Sequence, residues 1–270
     1  MRIKVNEQFH EFRDAVSLFE VRQQVKPKAD VLIVNGFPVL SDAPLAPGDE
    51  VVLIRRGEIP SRGELEVLMT ARHTPGVHRR LKAAVVGIAG LGGLGSSVAV
   101  ALARLGVGTL ILADYDVVEP SNLNRQQYFA DQIGMSKVSA LTANLRRINP
   151  YAQVAGRCVR LGGDNLASVF EGAAVLVEAF DSPEAKAMLV NEAAKRMPRC
   201  FVVAASGLAG FGASELIGIS RFGARGFVVG DGVTAAAPGV GLMSPRVGVT
   251  AHHQANLVLR ILIGEEGSSP

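Results

Sequence analysis

The sequence has 270 residues and a formal net charge of +3, and its basic residues are scattered or in short pairs. This charge is too small to indicate a nucleic-acid-binding surface, so we expect no nucleic-acid partner. No apolar run is long enough to cross a membrane and no basic-then-apolar leader opens the chain, which predicts a cytoplasmic protein without a membrane partner. Hydrophobic residues make up 48% of the chain and 30 residues are glycine, which is typical of an α/β core with tight turns.

The first 59 residues differ in character from the rest of the chain. Ile3 and Val5 alternate with basic residues, as in a half-buried strand. A short helix follows, and the apolar run Val31 to Val34 then leads into the turn dipeptide Asn35-Gly36. A second turn and one more strand, 50–55, close the segment. A strand, a helix and two or three further strands in this short span indicate a small β-grasp, or ubiquitin-like, domain over 1–59.

Residues 60–80 are expected to form a linker whose helix runs from Ser61 to Arg72 and is broken at 73–76. From residue 81 to 270, apolar strands alternate with helices. This order predicts a doubly wound, Rossmann-like and mostly parallel sheet that binds ligands at the carboxyl ends of its strands. The predicted strands are 83–90, 109–114, 154–159, 174–180 and 200–205, a glycine-rich hairpin follows at 207–226, and helices begin near 137, 183 and 246.

The first strand of this sheet leads directly into a glycine run. Glycines permit a tight turn and a close approach of the backbone to phosphate, and the helix that follows points its free N–H groups at that phosphate. Asp114 ends the next strand about 20 residues on, where a carboxylate meets ribose hydroxyls. Each feature also has a simpler reading, as strand–helix packing and as a strand-end turn. Together they predict a nucleotide site that contains Gly90, Gly92, Gly93, Gly95 and Asp114.

Polar and cationic residues follow Asp114 on the loop beside the expected phosphates, and binding a dinucleotide does not require them. They include Asp116 and the run from Asn122 to Gln126. Lys137 lies in the first turn of a predicted helix, where the dipole disfavours a cation by about a few tenths of a kcal/mol, so a nearby anion would offset a cost. Asp181 ends a buried strand just before Pro183, where it could cap a helix or hold a cation.

Five features, in order along the chain, resemble those of the ThiF/MoeB/HesA adenylyltransferases, which are relatives of the ubiquitin-activating enzymes. They are GxGGLG, a strand that ends in D-x-D, NLNRQ, a lysine at a helix start and R-x-NP. The resemblance extends from about Arg72 to Gly264. It implies an adenylyltransferase that uses ATP and Mg²⁺ and forms a homodimer, with Arg72 donated across the dimer. It implies that the nucleotide is bound by the four glycines, Asp114, Asn122, Arg125 and Lys137, although Asn122 could instead shape its turn. It also implies that Arg125, Lys137 and Asp181 are catalytic and that Asp181 is the metal ligand.

The N-terminal segment is similar to the ThiS/MoaD sulfur carriers, chiefly in VNG…P and PGDEVVLI. Such a carrier ends in a free Gly-Gly carboxylate, which becomes adenylated. Here the chain continues through Glu58-Ile59-Pro60. This domain therefore cannot be the substrate, and the resemblance implies a separate small β-grasp sulfur carrier in trans, in thiamine (thiazole) biosynthesis, with a sulfur-donor protein acting afterwards.

Several alternatives stay open. An NAD-dependent oxidoreductase would use the glycine loop and Asp114, but it leaves Arg125, Lys137 and Asp181 unexplained together. A regulatory, non-catalytic relative would account for the missing Gly-Gly tail. Within the family, the substrate could also be a molybdopterin-synthase carrier, another carboxylate or a tRNA nucleoside.

The cysteines and histidines do not predict a metal centre. Cys158 and Cys200 are the two cysteines, and they form no CxxC pair, so no zinc is expected. Both lie in apolar surroundings, and we predict that both are buried thiols. His252 and His253 lie inside the last predicted helix and are expected to pack or cap.

Overall fold

The structure is a computed structural model that describes residues 1–74 and 76–265. The chain divides into two compact units, Met1–Pro75 and Gly76–Pro270, so the predicted linker, 60–80, is shared between them. No helix in the described part of the chain has the length and hydropathy needed to cross a bilayer.

The first unit is the predicted β-grasp, a five-stranded sheet in the order β2-β1-β5-β3-β4 with one helix packed on it. Ile3 and Val5 are buried against Leu18 and Val21 of that helix. The hairpin turn Asn35-Gly36 forms as predicted, with both residues at positive φ. Its elements are β1 (Arg2–Val5), β2 (Gln8–Glu11), α1 (Leu18–Val25), β3 (Val31–Val34), β4 (Phe37–Pro38), β5 (Glu50–Ile54) and α2 (Arg62–Arg72).

The second unit is built on a seven-stranded sheet in the order β11-β12-β10-β9-β6-β7-β8, in which only the edge strand β11 is antiparallel. Its elements are α3 (Val77–Ala83), β6 (Val85–Ala89), α4 (Gly93–Arg104), β7 (Thr109–Asp114), α5 (Lys137–Ile148), β8 (Gln153–Cys158), α6 (Leu166–Val169), β9 (Val175–Glu178), α7 (Pro183–Arg196), β10 (Phe201–Ala205), β11 (Gly218–Phe222), β12 (Gly226–Gly230) and α8 (Ser244–Ile263).

Helices cover both faces of this sheet, as a doubly wound fold requires. Helices α4, α5 and α8 contribute to one apolar cluster, and α6 and α7 contribute to another on the opposite face. The chain passes from β6 to β7 and β8 on one side and then returns to β9 on the other. The strand order therefore reverses between β6 and β9, where the carboxyl ends of neighbouring strands open a crevice for a ligand.

Three sequence-based expectations for this unit were wrong in detail. The hairpin predicted at 207–226 is formed by β11 and β12, at 218–230. Ala83 ends helix α3 and does not begin β6. Cys158 is exposed, because it lies at the end of β8, an edge strand paired on one side only. Cys200 is buried as predicted, and burial raises the pKa of its thiol to about 12.

Candidate active site

The glycine run forms the floor of a crevice at the carboxyl end of β6. Gly90 has a φ of 88°, and its N–H donates to the carbonyl of Ala113 on β7. Gly92 is the N-cap residue of α4. A Cβ on Gly95 would lie 1.9 Å from the Gly90 carbonyl oxygen, so only glycine lets the helix pack this closely on the loop. The crevice itself is lined by Gly90, Gly92 and Gly93, whereas Gly95 lies beneath them.

Asp114 fixes the shape of this loop and also lines the crevice. It is buried, and its Oδ2 accepts from the Leu91 N–H at 2.6 Å while its Oδ1 accepts from the Asp116 N–H at 2.8 Å. The Tyr128 hydroxyl donates to the Leu91 carbonyl at 2.8 Å, which braces the loop from below. Asp114 therefore shapes a strand-end turn, which was the alternative for this residue, and it also faces the cavity; its contact with a ribose stays a prediction.

The NLNRQ segment sends two side chains to the crevice. Arg125 lines it and packs on Gly93, while its Nη1 donates to Asn124 Oδ1 at 2.7 Å. Gln126 lines it as well; it is buried, and its Oε1 has no partner among the described residues. Asn122 is absent from the lining of the crevice. Its Oδ1 accepts from the Glu119 N–H, so it shapes the turn, which was the alternative for this residue.

Lys137 is held at the crevice by an acidic partner. Its Nζ lies 2.8 Å from Asp116 Oδ2, and its backbone N–H donates to the Asp116 carbonyl. Lys137 is almost fully buried whereas the Asp116 side chain is about half exposed. The anion that offsets the helix-dipole cost of Lys137 in the free protein is therefore Asp116.

Asp181 is exposed and lines the crevice beside α7. The cap of α7 is Ser182, whose hydroxyl accepts from the Ala185 N–H, so the alternative that Asp181 caps this helix is wrong. Within residues 1–74 and 76–265, the Asp181 carboxylate makes no hydrogen bond or ion pair. An open carboxylate beside the glycine loop is chemically suited to Mg²⁺, which takes one or two carboxylates together with phosphate and water oxygens.

A buried ion pair that the sequence did not predict lies next to Asp181. Glu178 at the end of β9 is fully buried, and the Lys186 Nζ lies 3.0 Å from each of its carboxylate oxygens. The same ammonium donates to the Ala205 carbonyl at the end of β10. Burial raises the pKa of Glu178, and Lys186 opposes that rise. Lys186 thus links the carboxyl ends of β9 and β10, which lie at the crevice.

The crevice continues beyond these residues into a cavity of about 660 Å³. One half is lined by the glycines and by the charged side chains of Asp114, Arg125, Lys137 and Asp181. The other half is formed by small residues that follow β10 and β12, namely Ser206, Gly207, Leu208, Ala209, Gly232, Val233, Thr234, Ala235 and Ala236. We refer to these as the phosphate half and the small-residue half. Arg72 belongs to the first unit, where it forms an ion pair with Glu7 at 3.1 Å.

Comparison with known proteins shows which family the chain belongs to. Residues 67–269 match the sequence profile of the ThiF family. The chain belongs to the ThiF family. Residues 1–57 of this ThiF-family chain match a second profile, described as ThiS-like ubiquitin. The family resemblance predicted from GxGGLG, NLNRQ and the carrier-like N-terminal segment is confirmed.

Two curated relatives illustrate the family. The ThiF-family chain is 32% identical over 209 residues to the sulfur carrier protein ThiS adenylyltransferase of Bacillus subtilis (strain 168). The matched region covers 71% of this chain and 58% of that protein. It is 34% identical over 145 residues to the adenylyltransferase and sulfurtransferase UBA4 of Candida glabrata, which covers 53% of this chain and 33% of the relative. The chain therefore spans only part of the length of these relatives.

Solved structures share the fold of the ThiF-family chain. E. coli TcdA, a tRNA N6-threonylcarbamoyladenosine dehydratase solved in complex with ATP, has a TM-score of 0.66 at 22% identity, covering 73% of this chain and 93% of TcdA. E. coli MccB, solved with ATP, has a TM-score of 0.54 at 26% identity, covering 72% and 59%. The predicted fold class is confirmed.

Proposed function

We propose that this ThiF-family protein adenylates the C-terminal carboxylate of a small β-grasp sulfur carrier that is supplied in trans. The observation that carries the proposal is the meeting of Arg125, Lys137 and the open carboxylate of Asp181 in one cavity with the glycine loop. An oxidoreductase needs the glycine loop and Asp114 but has no use for this set of charges. Adenylation uses all of them, because its transition state spreads negative charge over the phosphates.

The reaction needs positioning and charge neutralisation rather than a protein nucleophile. A carboxylate oxygen of the carrier attacks the α-phosphorus of ATP. The bond from that phosphorus to the oxygen bridging the β-phosphate breaks, and pyrophosphate leaves. Arg125 and Lys137 would neutralise phosphate charge, and Asp114 would face the ribose. Asp181 would hold Mg²⁺, which supplies further charge neutralisation at the phosphates when bound.

The small-residue half supports a carrier tail as the second substrate. Gly207, Ala209 and Gly232 present little side-chain bulk there, and no charged residue lies among 206–209 and 232–236. An extended tail that ends in two glycines could enter such a channel and bring its carboxylate to the phosphate half. The glycines of the tail would matter because larger side chains would clash with the walls.

Thiamine biosynthesis is the pathway we propose. Two findings support it: residues 1–57 match a ThiS-like profile, and the Bacillus subtilis relative is named as a ThiS adenylyltransferase. We propose further that a sulfur-donor protein converts the adenylate to a thiocarboxylate and that the enzyme works as a homodimer. Residues 1–59 would act in docking or assembly, and 81–270 would carry the nucleotide site.

Calorimetry with ATP and with NAD, each in the presence of Mg²⁺, tests the nucleotide part of the proposal. We expect ATP to bind in the micromolar to millimolar range that is common for substrates. Arg125→Ala should weaken this binding. Binding of NAD without binding of ATP would reject adenylation in favour of the oxidoreductase alternative.

A further inference from the structure

The small-residue half of the cavity is walled by two loops, and two of the larger apolar side chains of these loops are exposed. Val233 is 84% exposed and Phe211 is 90% exposed. Backbone hydrogen bonds join the loops: the Asp231 N–H donates to the Gly207 carbonyl at 2.9 Å, and the Leu208 N–H donates to the Thr234 carbonyl at 3.2 Å. We call residues 206–213 and 231–236 the wall loops. Ala209 is buried and Leu208 packs against the core, but the exposed Val233 and Phe211 add little burial, so polar contacts also define the shape of the wall loops.

Asp231 organises the second wall loop. Its Oδ1 accepts from the N–H groups of Val233 and Thr234, both at 2.8 Å, and its Oδ2 accepts from the Thr234 hydroxyl at 2.7 Å. Burial by itself would raise the pKa of Asp231, but the donors from Thr234, Val233 and Arg246 outweigh it and hold the pKa well below its ordinary value. The Asp231 carboxylate is therefore charged at neutral pH.

Arg246 joins this carboxylate to the first wall loop. Its Nη2 lies 2.6 Å from Asp231 Oδ2, and its Nη1 donates to the carbonyls of Gly212 and Ala213. Arg246 is 5% exposed and lies in the first turn of α8, where the helix dipole disfavours a cation. Asp231 and the two carbonyls stabilise this buried cation through its two Nη groups, whereas its Nε has no hydrogen-bond partner among the described residues.

The next residue of the same helical turn touches the phosphate half. Val247 lines the cavity, and its Cγ1 lies 2.9 Å from where a Cβ on Gly93 would be. One turn of α8 thus contacts the glycine loop through Val247 and holds both wall loops through Arg246. This arrangement fixes the distance between the two halves of the cavity.

We propose that Arg246 and Asp231 are a positioning pair that sets the width and placement of the small-residue half relative to the phosphates. Neither residue lines the cavity, so the pair acts on substrate through the wall loops. The proposal rests on the proposed function in one respect, namely that the small-residue half receives the carrier's carboxylate. Loss of the pair should misplace that carboxylate and leave the ATP subsite as it is.

The test compares Arg246→Met with Arg246→Lys, Asp231→Asn and the matched control Arg260→Met near the other end of α8. Hydrogen–deuterium exchange on the free protein is measured first. We expect Arg246→Met to lose amide protection in the wall loops, and Arg246→Lys to recover part of it through its remaining charge. Arg260→Met should match the wild type. Should Arg246→Met fail to fold, Asp231→Asn, which keeps the shape of the side chain, carries the same test.

Kinetics then separates positioning from a general loss of structure. With a ThiS-type carrier that ends in a free Gly-Gly carboxylate, we expect kcat/KM for the carrier to fall by about 10- to 100-fold in Arg246→Met, mainly through kcat, because the bound carboxylate is misplaced. The Kd for ATP should stay within about twofold. Unchanged protection of the wall loops, or a parallel loss of ATP affinity, would overturn the proposal. If the wild type shows no carrier-dependent ATP–pyrophosphate exchange, the proposed function is rejected. The hydrogen–deuterium exchange result would still decide whether Arg246 and Asp231 hold the wall loops.

Discussion

The ammonium group of Lys137 lies 2.8 Å from the Asp116 carboxylate at the edge of the glycine loop. Lys137 is almost fully buried and Asp116 is about half exposed, so water can hydrate the acid if the lysine turns to another anion. Triphosphate would be such an anion. The pair therefore holds the Lys137 side chain in place before a nucleotide binds, which is the preorganisation that electrostatic catalysis requires.

Arg125→Ala and Lys137→Ala should each lower adenylate formation by about 10²- to 10³-fold, since one preorganised donor of this kind is worth about 3–4 kcal/mol. The fold should survive in Lys137→Ala because Asp116 is exposed enough to be hydrated. Pyrophosphate exchange measures the rate and circular dichroism the fold, with the surface variant Lys195→Ala as control. Near-normal exchange in both variants would show that the site is placed wrongly.

Two glycines of the loop should respond differently to the same substitution. Gly95→Ala would bring a Cβ to 1.9 Å from the Gly90 carbonyl oxygen, so α4 must move and nucleotide binding should be lost. A Cβ on Gly92 meets nothing closer than Gln126 Nε2 at 3.9 Å, so Gly92→Ala should fold normally. Thermal unfolding and ATP titration of both variants check this. Equal stability of the two would contradict the packing described for the loop.

Lys186→Met should destabilise the protein by about 3 kcal/mol at neutral pH, because it leaves the buried Glu178 carboxylate without its counter-charge. The pKa of Glu178 is already raised by burial and would rise further. A group whose pKa is raised on folding favours the native state at low pH and loses that contribution as pH rises. The deficit should therefore be larger at pH 8 than at pH 5.

Thermal unfolding of Lys186→Met at the two pH values measures this deficit. The double variant Glu178→Gln/Lys186→Met should lose the pH dependence, and Lys195→Met should show none. A deficit that is the same at both pH values would mean that Glu178 is not the titrating group.

The fused β-grasp unit should never be adenylated, because Glu58-Ile59-Pro60 stands where a carrier has Gly-Gly and the chain continues past it. Proline's fixed φ and the larger side chains would obstruct the narrow approach that two glycines allow. The protein is incubated with ATP and Mg²⁺ alone and analysed by mass spectrometry. An adenylate or thiocarboxylate on a cleaved N-terminal fragment would make the chain both carrier and activator.

Features set by neighbouring residues could be predicted from the sequence. The turn at Asn35-Gly36 and the glycine run after β6 each depend on local backbone requirements and alternating or apolar patterns. The helix that begins at Pro183 was also predicted, although its cap is Ser182 rather than Asp181. The sequence pattern does not determine which of these two adjacent residues is the cap, since both Asp and Ser side chains can cap a helix.

Contacts between distant segments could not be predicted in the same way. Glu178 stands out as an acid in an apolar strand, but nothing local indicates that Lys186 pairs with it across the first turns of α7. Arg246 and Asp231 lie 15 residues apart in unlike segments and meet only when β12 and α8 are in place. The exposure of Cys158 follows from β8 being an edge strand, which is known only once the strand order is.

Carrier-dependent ATP–pyrophosphate exchange measures whether the cavity joins ATP to the carboxylate of a separate carrier. We expect exchange with a ThiS-type carrier that ends in a free Gly-Gly carboxylate, and none with the same carrier shortened by its two glycines. Exchange should disappear in Arg125→Ala and persist in Lys195→Ala. No exchange above background with either a ThiS-type or a MoaD-type carrier would contradict the proposed adenylation.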